Sequence, residues 1–391
     1  MLKRISLLIC TTLIIQTFMQ YGTPVVQAEE EVDLTPDARS AVLMDMDTGT
    51  ILYEKDSDKR LPPASITKIM TMLLIMEAID EGQLKWTDMV RTSERAASMG
   101  GSQIFLEVGE EMSVEDMMKG IAIASGNDAT VAMAEHIAGT EDKFVQKMNE
   151  KAQTLGLENT HFSNTNGLPT EDHYTSARDI AIMSRELLKY EDITKFTSVY
   201  EDYLRQDSDK PFWLVNTNRL VKFYDGVDGL KTGYTNESKY CLAATAKRGD
   251  MRVISVVMGA PKPKVRNQYT ADMLTYAFNQ FETHPIYKKG DVLDAVTIDK
   301  GAKSKLDMVV PHQVSVLTRK GDSLDDYDIA IEPLTHLQAP ITEGDVIGHI
   351  RIRKEGQVTA EIAIKAPMDV SKASLLQMFN RVTKSLFGLQ S

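Results

Sequence analysis

The sequence predicts a mixed α/β (α+β) main domain, a small all-β domain after it, and a short amphipathic helix at the C-terminus. Three observations carry that expectation. Between Ser40 and Phe281, β-rich runs stand at both ends and helical runs fill the middle, so the first and last strands are expected to pair across a helical insertion. From Gly290 to Ala366 there are only short β-type runs, separated by Gly, Asp and Pro turns. From Val370 onward no acidic residue occurs, although the chain carries a formal net charge of −12.

The chain has 391 residues, 42% hydrophobic and 26% charged, which is globular rather than disordered composition and room for two or three domains. Its acidity argues against nucleic acid as a partner, because phosphate binding relies on basic patches. Two cysteines, Cys10 and Cys241, allow neither a disulfide framework nor a thiolate metal site.

Lys3 and Arg4, the apolar run Ile5 to Phe18, and Val26-Gln27-Ala28 have the layout of a secretory signal, which makes the protein an exported one. A retained anchor is the alternative, but Thr11, Thr12 and Gln16 interrupt a run shorter than the roughly 20 residues a span needs. The expected organisation is therefore an export signal over 1–28, a main domain over 29–283, an all-β domain over 284–366 and a helix over 367–391.

Within the main domain, Asp47-Thr48-Gly49 turns two β-rich runs into a hairpin. After Pro62-Pro63, Ser65 opens a helix to about Ile79 that is apolar on nearly every face and hence buried. Further helices are expected around Val114 to Ile123, Ala129 to Ile137, Lys143 to Leu155 and Ala177 to Tyr190. Strands follow at Leu230 to Thr235, Tyr240 to Ala246 and Arg252 to Gly259, then a closing helix from Thr270 to Phe281. Beyond His284-Pro285 the β-type runs are Val292 to Ile298, Gln313 to Leu317, Val346 to Ile352 and Val358 to Ile364. In the tail, Leu375, Phe379, Val382 and Leu386 share one helical face opposite Gln377, Arg381 and Lys384. Such a helix suits an anionic membrane surface, the alternative being a helix packed on the β-domain.

Ser65-Ile66-Thr67-Lys68 is the centre of the chemistry. Residues i and i+3 share a helix face, so the Lys68 amine can approach the Ser65 hydroxyl. A serine hydroxyl needs a base, and burial lowers a lysine's pKa far enough to supply one. Alone, the pattern fits a capped helix with a solvated lysine. Ser65, however, is the chain's only serine with lysine at i+3. Ser125-Gly126-Asn127, on a turn between apolar helices, offers a hydroxyl to relay a proton and a carboxamide to hold an amide. Lys231-Thr232-Gly233 lies on an expected strand, giving a cation and a hydroxyl, with a glycine that lets a peptide-like ligand come close.

Together these form the Ser-x-x-Lys, Ser-x-Asn and Lys-Thr-Gly set of penicillin-recognising serine enzymes. The longer segments Pro63 to Lys68, Ser125 to Asp128, His173 to Asp179 and Gly226 to Gly233 resemble the serine-type D-Ala-D-Ala carboxypeptidases, the low-molecular-mass penicillin-binding proteins. The resemblance covers nearly the whole mature chain. It implies a transpeptidase/β-lactamase-like domain with an antiparallel sheet and helices on both faces, a carboxy-terminal β-domain and a membrane-anchoring helix. It also implies a reaction: removal of the terminal D-Ala from peptidoglycan stem pentapeptides, with β-lactams as inhibitors and the enzyme held at the outer face of the cytoplasmic membrane. Ser65 would be the acylated nucleophile, Lys68 its base and Ser125 a proton relay. Asn127 would hold the peptide amide, and Lys231, Thr232 and Gly233 would line the substrate. Backbone N–H groups of Ser65 and Tyr234 would form the oxyanion hole, and Arg266 would meet the terminal carboxylate. Tyr234 stands where the family often has Thr or His. Arg178 reads as a structural ion-pair partner.

A class A β-lactamase shares two of the motifs, but no Glu-x-x-x-Asn loop occurs between Asn159 and Asp179, and the extra β-domain does not fit it. A transpeptidase would carry larger additional domains, and a non-catalytic penicillin sensor would need an output through the membrane. No cofactor is expected. The seven histidines have no two at i+2 to i+4, and no His-Glu-x-x-His occurs, so no metal is expected either. His173 reads as a structural hydrogen-bonder.

Overall fold

The computed structural model describes residues 33–379. The predicted export signal and the part of the predicted C-terminal helix from 380 to 391 lie outside the described residues. Of these, residues 37–379 belong to one compact unit.

Strands β1 (Ser40–Asp45) and β2 (Ile51–Lys55) form the expected hairpin. Asp45 shapes its turn, accepting the Thr48 N–H at 2.9 Å and the Thr48 hydroxyl at 2.7 Å, while Gly49 takes a φ of 75°. Two small ribbons, β3 (Met89–Arg91) with β4 (Glu111–Ser113) and β5 (Glu201–Leu204) with β6 (Phe212–Val215), lie within the helical insertion. β7 (Val227–Thr235), β8 (Lys239–Arg248) and β9 (Met251–Ala260) complete the main sheet in the order β2-β1-β9-β8-β7. Every neighbour in it is antiparallel. The first strand does pair with the last, Ser40 facing Met258 and Asp45 facing Val253. This leaves β7, which carries Lys231 to Tyr234, as a free edge.

The longer helices of the unit are α1 (Lys68–Asp80), α2 (Val114–Ala122), α3 (Asn127–Ala138), α4 (Glu141–Thr154), α5 (Ala177–Leu187) and α6 (Pro263–Gln280). Side-chain oxygens of Ser113, Thr140 and Ser176 cap α2, α4 and α5 by accepting the N–H three residues on. Strand alternation sends Val42, Met44, Ile254, Val256 and Met258 into one core with α1 and α5. Ala41, Leu43, Val253 and Val257, equally buried, face the other way, where α6 packs on β8 and β9. Helices thus cover both faces of the sheet.

The sequence expectation placed the start of α6 too late. Pro263 occupies its first turn, where the missing N–H costs nothing, so the run Pro263 to Asn267 is already helical and Arg266 lies on the helix. β10 (Phe281–Tyr287) then runs across the expected boundary at 283/284 and pairs with β13 (Val314–Arg319). Pro285 is tolerated because this ribbon has only two strands and its register slips beside Pro285.

Beyond it, β11 (Val292–Asp299) pairs with β12 (Lys305–Val309), and β14 (Tyr327–Pro333) pairs with β16 (Val346–Lys354). The short β15 (Leu337–Gln338) joins β11, and β17 (Gln357–Lys365) joins β16. Val296, Ile298, Met308, Ile347, Ile350 and Ile364 form a second, separate core. Val370 belongs to it and bridges to Ile341, and Lys372 bridges to Gly301, so the chain stays on the β-domain past position 367 before a helical turn at 375–379. Among the described residues no helix is long and apolar enough to cross a membrane. The β1–β2 turn ties the two parts together: Asp47 accepts Gln313 Nε2 at 2.7 Å and Ser315 Oγ at 2.6 Å, and Asp45 accepts Thr283 Oγ1 at 3.1 Å.

Leu73 lies fully buried in α1. Leu73→Ala should therefore lower unfolding free energy by about 2–5 kcal/mol in denaturant titration, against well under 1 kcal/mol for a truncation at an exposed site.

Candidate active site

Ser65 sits not in α1 but in the 3-10 turn that precedes it, Ala64–Thr67. In such a turn side chains at i and i+3 stack directly, which brings Lys68 Nζ to 3.1 Å from Ser65 Oγ. Ser65 is half-buried, whereas Lys68 has no exposed surface at all. The other two contacts of Nζ are Asn127 Oδ1 at 2.6 Å and the Asn166 carbonyl at 2.8 Å.

Burial, then the nearby Lys231, hold the Lys68 pKa well below the ordinary 10.5. As an ammonium it has one acceptor for each proton. Once neutral, it keeps both protons on the two carbonyl oxygens, and its lone pair is left facing the Ser65 hydroxyl. That is the arrangement of a base beside a nucleophile.

The turn is held from behind. Ser163 N–H donates to His173 Nδ1 at 2.9 Å, so Nε2 carries the ring proton toward Thr67 Oγ1 at 2.7 Å, and the Thr67 hydroxyl donates to Ala64 O at 2.8 Å. Burial pulls the His173 pKa down to about 4, leaving it neutral, in keeping with the structural role expected of it. Ala64 adopts a φ of 49°, a strained value for alanine. Gly167 passes so close beneath that a Cβ there would stand 1.8 Å from Ala64 O.

Ser125 also lies in the left-handed region, φ 64°, with its Oγ buried and no hydrogen-bond partner in the protein. Two residues on, Asn127 is committed at both ends, its Oδ1 to Lys68 and its Nδ2 to Gly100 O at 2.7 Å. Lys231 is buried on β7, donates to Thr232 O at 3.0 Å, and has its pKa lowered to about 7 by burial and then by Arg266.

Sequence comparison matches residues 25–262 to the model of the D-alanyl-D-alanine carboxypeptidase peptidase family, and residues 281–372 to the C-terminal domain of penicillin-binding protein 5. The chain belongs to the D-alanyl-D-alanine carboxypeptidase family. It is 53% identical over 380 residues to the D-alanyl-D-alanine carboxypeptidase DacF of Bacillus subtilis, covering 97% of this chain and 98% of that one. With DacA of Haemophilus influenzae it shares 34% over 351 residues, 86% of each. The crystal structure of penicillin-binding protein 5 from Haemophilus influenzae superimposes with a TM-score of 0.68 at 33% identity, over 86% of this chain and 98% of that one. Membership makes the protein a serine peptidase acting on peptidoglycan, and the β-lactamase and sensor alternatives give way to it.

In the rest of this carboxypeptidase site, Gly233 departs from the reason the sequence suggested for it. Gly233 does not leave room for a ligand. A Cβ there would stand 2.9 Å from Pro63 O and 3.1 Å from Ile66 Cγ1, so the missing side chain admits the nucleophile's own turn. Thr232 donates its hydroxyl to Thr217 Oγ1 at 2.7 Å. Tyr234 is half-exposed, stacked at 4.4 Å on its cross-strand partner Tyr240. Arg266 is buried, its pKa lowered to about 10 by that burial, and its guanidinium donates to Oδ1 of the neutral Asn267, at 3.0 and 2.8 Å. Arg178 lies apart from the site, paired with Asp58 at 2.9 Å and with Glu54. A cavity of about 300 Å³ opens beside the turn, with Ala64, Leu168, His173 and Thr235 in its wall.

Sequence reasoning missed Asn166, Gly167 and Thr217. The Asn166-Gly167 pair was a readable turn signal, but a backbone carbonyl serving a lysine leaves no side-chain signature. Gly167→Ala should displace the Ala64–Thr67 turn, and acylation by a fluorescent penicillin should fall at least about 100-fold while the far-ultraviolet spectrum is kept. Labelling at the wild-type rate would show that the close approach is not needed.

Proposed function

We propose that Ser65 attacks the carbonyl of the penultimate D-Ala of a stem pentapeptide. Neutral Lys68 takes the Oγ proton as the Oγ–C bond forms, and the Ser65 and Tyr234 N–H groups stabilise the oxyanion, each such donor being worth about 10²–10³ in rate. The C–N bond then breaks as Lys68 gives that proton, by way of the Ser125 hydroxyl, to the departing D-Ala amine, and Lys68 is neutral again. Water attacks the ester, gives a proton to Lys68, and the carbonyl–Oγ bond breaks as Ser65 regains its hydrogen. Arg266, Lys231 and Thr232 meet the terminal carboxylate. Asn127 positions Lys68 through Oδ1, and the second lone pair of that oxygen would accept the substrate amide N–H. The observation that carries this reading is the fully buried Lys68, 3.1 Å from a half-buried serine. A β-lactam enters the same acylation; its leaving nitrogen stays tethered, so the ester persists.

Wild type should release D-Ala from diacetyl-Lys-D-Ala-D-Ala and take up fluorescent penicillin; Ser65→Ala should do neither, and Lys68→Ala should lose about 10²–10⁴ in acylation. The required form of Lys68 is the neutral one, present above its lowered pKa and lost as pH falls through it. The acid limb of the acylation rate should therefore lie well below pH 10.5, its position fixed by Lys68 rather than by any histidine. Penicillin uptake without D-Ala release would sink the carboxypeptidase assignment of this site.

We further propose export by the amino-terminal signal and peripheral attachment to the outer face of the cytoplasmic membrane through the tail. Because Val370 and Lys372 are tied to the β-domain, the informative truncation falls after Ser374. The shortened chain should stop sedimenting with vesicles containing anionic phospholipid, and the full chain should sediment with them. Equal sedimentation of both would rule the tail out as the anchor.

A further inference from the structure

Phe105 is a large apolar side chain left 65% exposed on a backbone with φ of 56°. A phenylalanine holds that left-handed conformation only where its surroundings enforce it. Here they do so from both sides. The buried Asp128 carboxylate accepts the Ile104 N–H at 3.0 and 3.1 Å and the Leu106 N–H at 3.1 Å. Arg205 donates to Ile104 O at 3.0 Å and Phe105 O at 3.3 Å, and is itself held by Glu110 at 2.6 Å. The backbone is clamped, yet the ring is turned largely out to water, its edge against Phe212 at 5.6 Å between centroids.

The place of that ring is informative. The loop before it wraps the start of α3: Ser102 O accepts the Asn127 N–H at 2.7 Å, and Gly100 O accepts Asn127 Nδ2. On the other side, β6 leads from Phe212 to Thr217, which holds the Thr232 hydroxyl. Phe105 therefore stands between the loop that holds Asn127 and the ribbon whose outgoing chain holds Thr232. A large ring that a strained, doubly clamped backbone holds out of the core beside a cleft is placed to meet a ligand there.

We propose that Phe105, backed by Phe212, is an apolar wall of the substrate cleft that packs against the aliphatic side chain of the residue preceding D-Ala-D-Ala, and so sets specificity for it. The inference rests on the site assignment above. It is tested by D-Ala release from two tripeptides, one with diacetyl-Lys and one with acetyl-Gly before D-Ala-D-Ala. Phe105→Ala should lower kcat/KM for the lysine peptide about tenfold (about 1.4 kcal/mol), through KM, and change the glycine peptide less than twofold. Phe105→Leu should keep most of the preference. Phe105→Asn, better suited to a positive φ, should keep or raise the melting temperature while losing the preference as alanine does. Equal losses on both peptides, a loss carried by kcat, or an unchanged preference would each overturn the proposal. Failure of the wild type to release D-Ala from either peptide would overturn the site assignment, and this inference with it.

Discussion

The burial of one lysine organises the rest of this structure. Removing an ammonium from water costs several kcal/mol unless its protons are matched, and three different parts of the chain converge on Lys68 to match them. Ser65 comes from its own turn, Asn127 from the start of α3, and the Asn166 carbonyl from the loop before α5. The matching is good enough to tolerate the charge but favours its loss, because two of the three acceptors remain fully satisfied by a neutral amine. The positions of α1, α3 and that loop thus follow from one residue's solvation as much as from apolar packing.

Close approach is the second constraint, and glycine grants it. Gly167 and Gly233 press on the Ala64–Thr67 turn from two sides, so the residue beside the nucleophile is enclosed by backbone on both. The strained φ of Ala64 is held within that enclosure, and the neutral His173 fixes its carbonyl through Thr67. Rigidity at this turn keeps Ser65 in register with a free sheet edge, where an extended peptide can lie along β7.

Much of this was legible in the sequence. Asp47-Thr48-Gly49 announced the hairpin, the unbroken apolar run after Ser65 announced a buried helix, and Lys68 on that run announced a titrating group. What could not be read has physical reasons. The first turns of α6 are polar because they face the site and solvent, so periodicity starts only at Thr270. β5 and β6 are four residues each, and each buries a single leucine, Leu204 or Leu214, in the main core, leaving no long alternating pattern. Gly233 signalled a close approach correctly, but sequence cannot say by what, and its neighbour is the protein itself. Asn166 contributes a carbonyl that every residue possesses.

Charge ties the site to its proposed substrate. The chain is strongly acidic, with 56 carboxylate residues against 44 lysines and arginines, yet Lys68, Lys231 and Arg266 have neutral hydrogen-bond partners. Each depresses the next: Arg266 lowers Lys231, and Lys231 lowers Lys68. An anion arriving beside Arg266 and Lys231 would relieve the first repulsion and keep Lys231 protonated. The charge that holds the anion is then the same charge that keeps Lys68 neutral and basic. A free terminal carboxylate satisfies that arrangement, whereas a peptide continuing past the second D-Ala would bring a neutral amide to two unpaired buried cations. On the proposed placement of the carboxylate, a preference for the last residue of a chain over an internal bond would follow from that electrostatic demand.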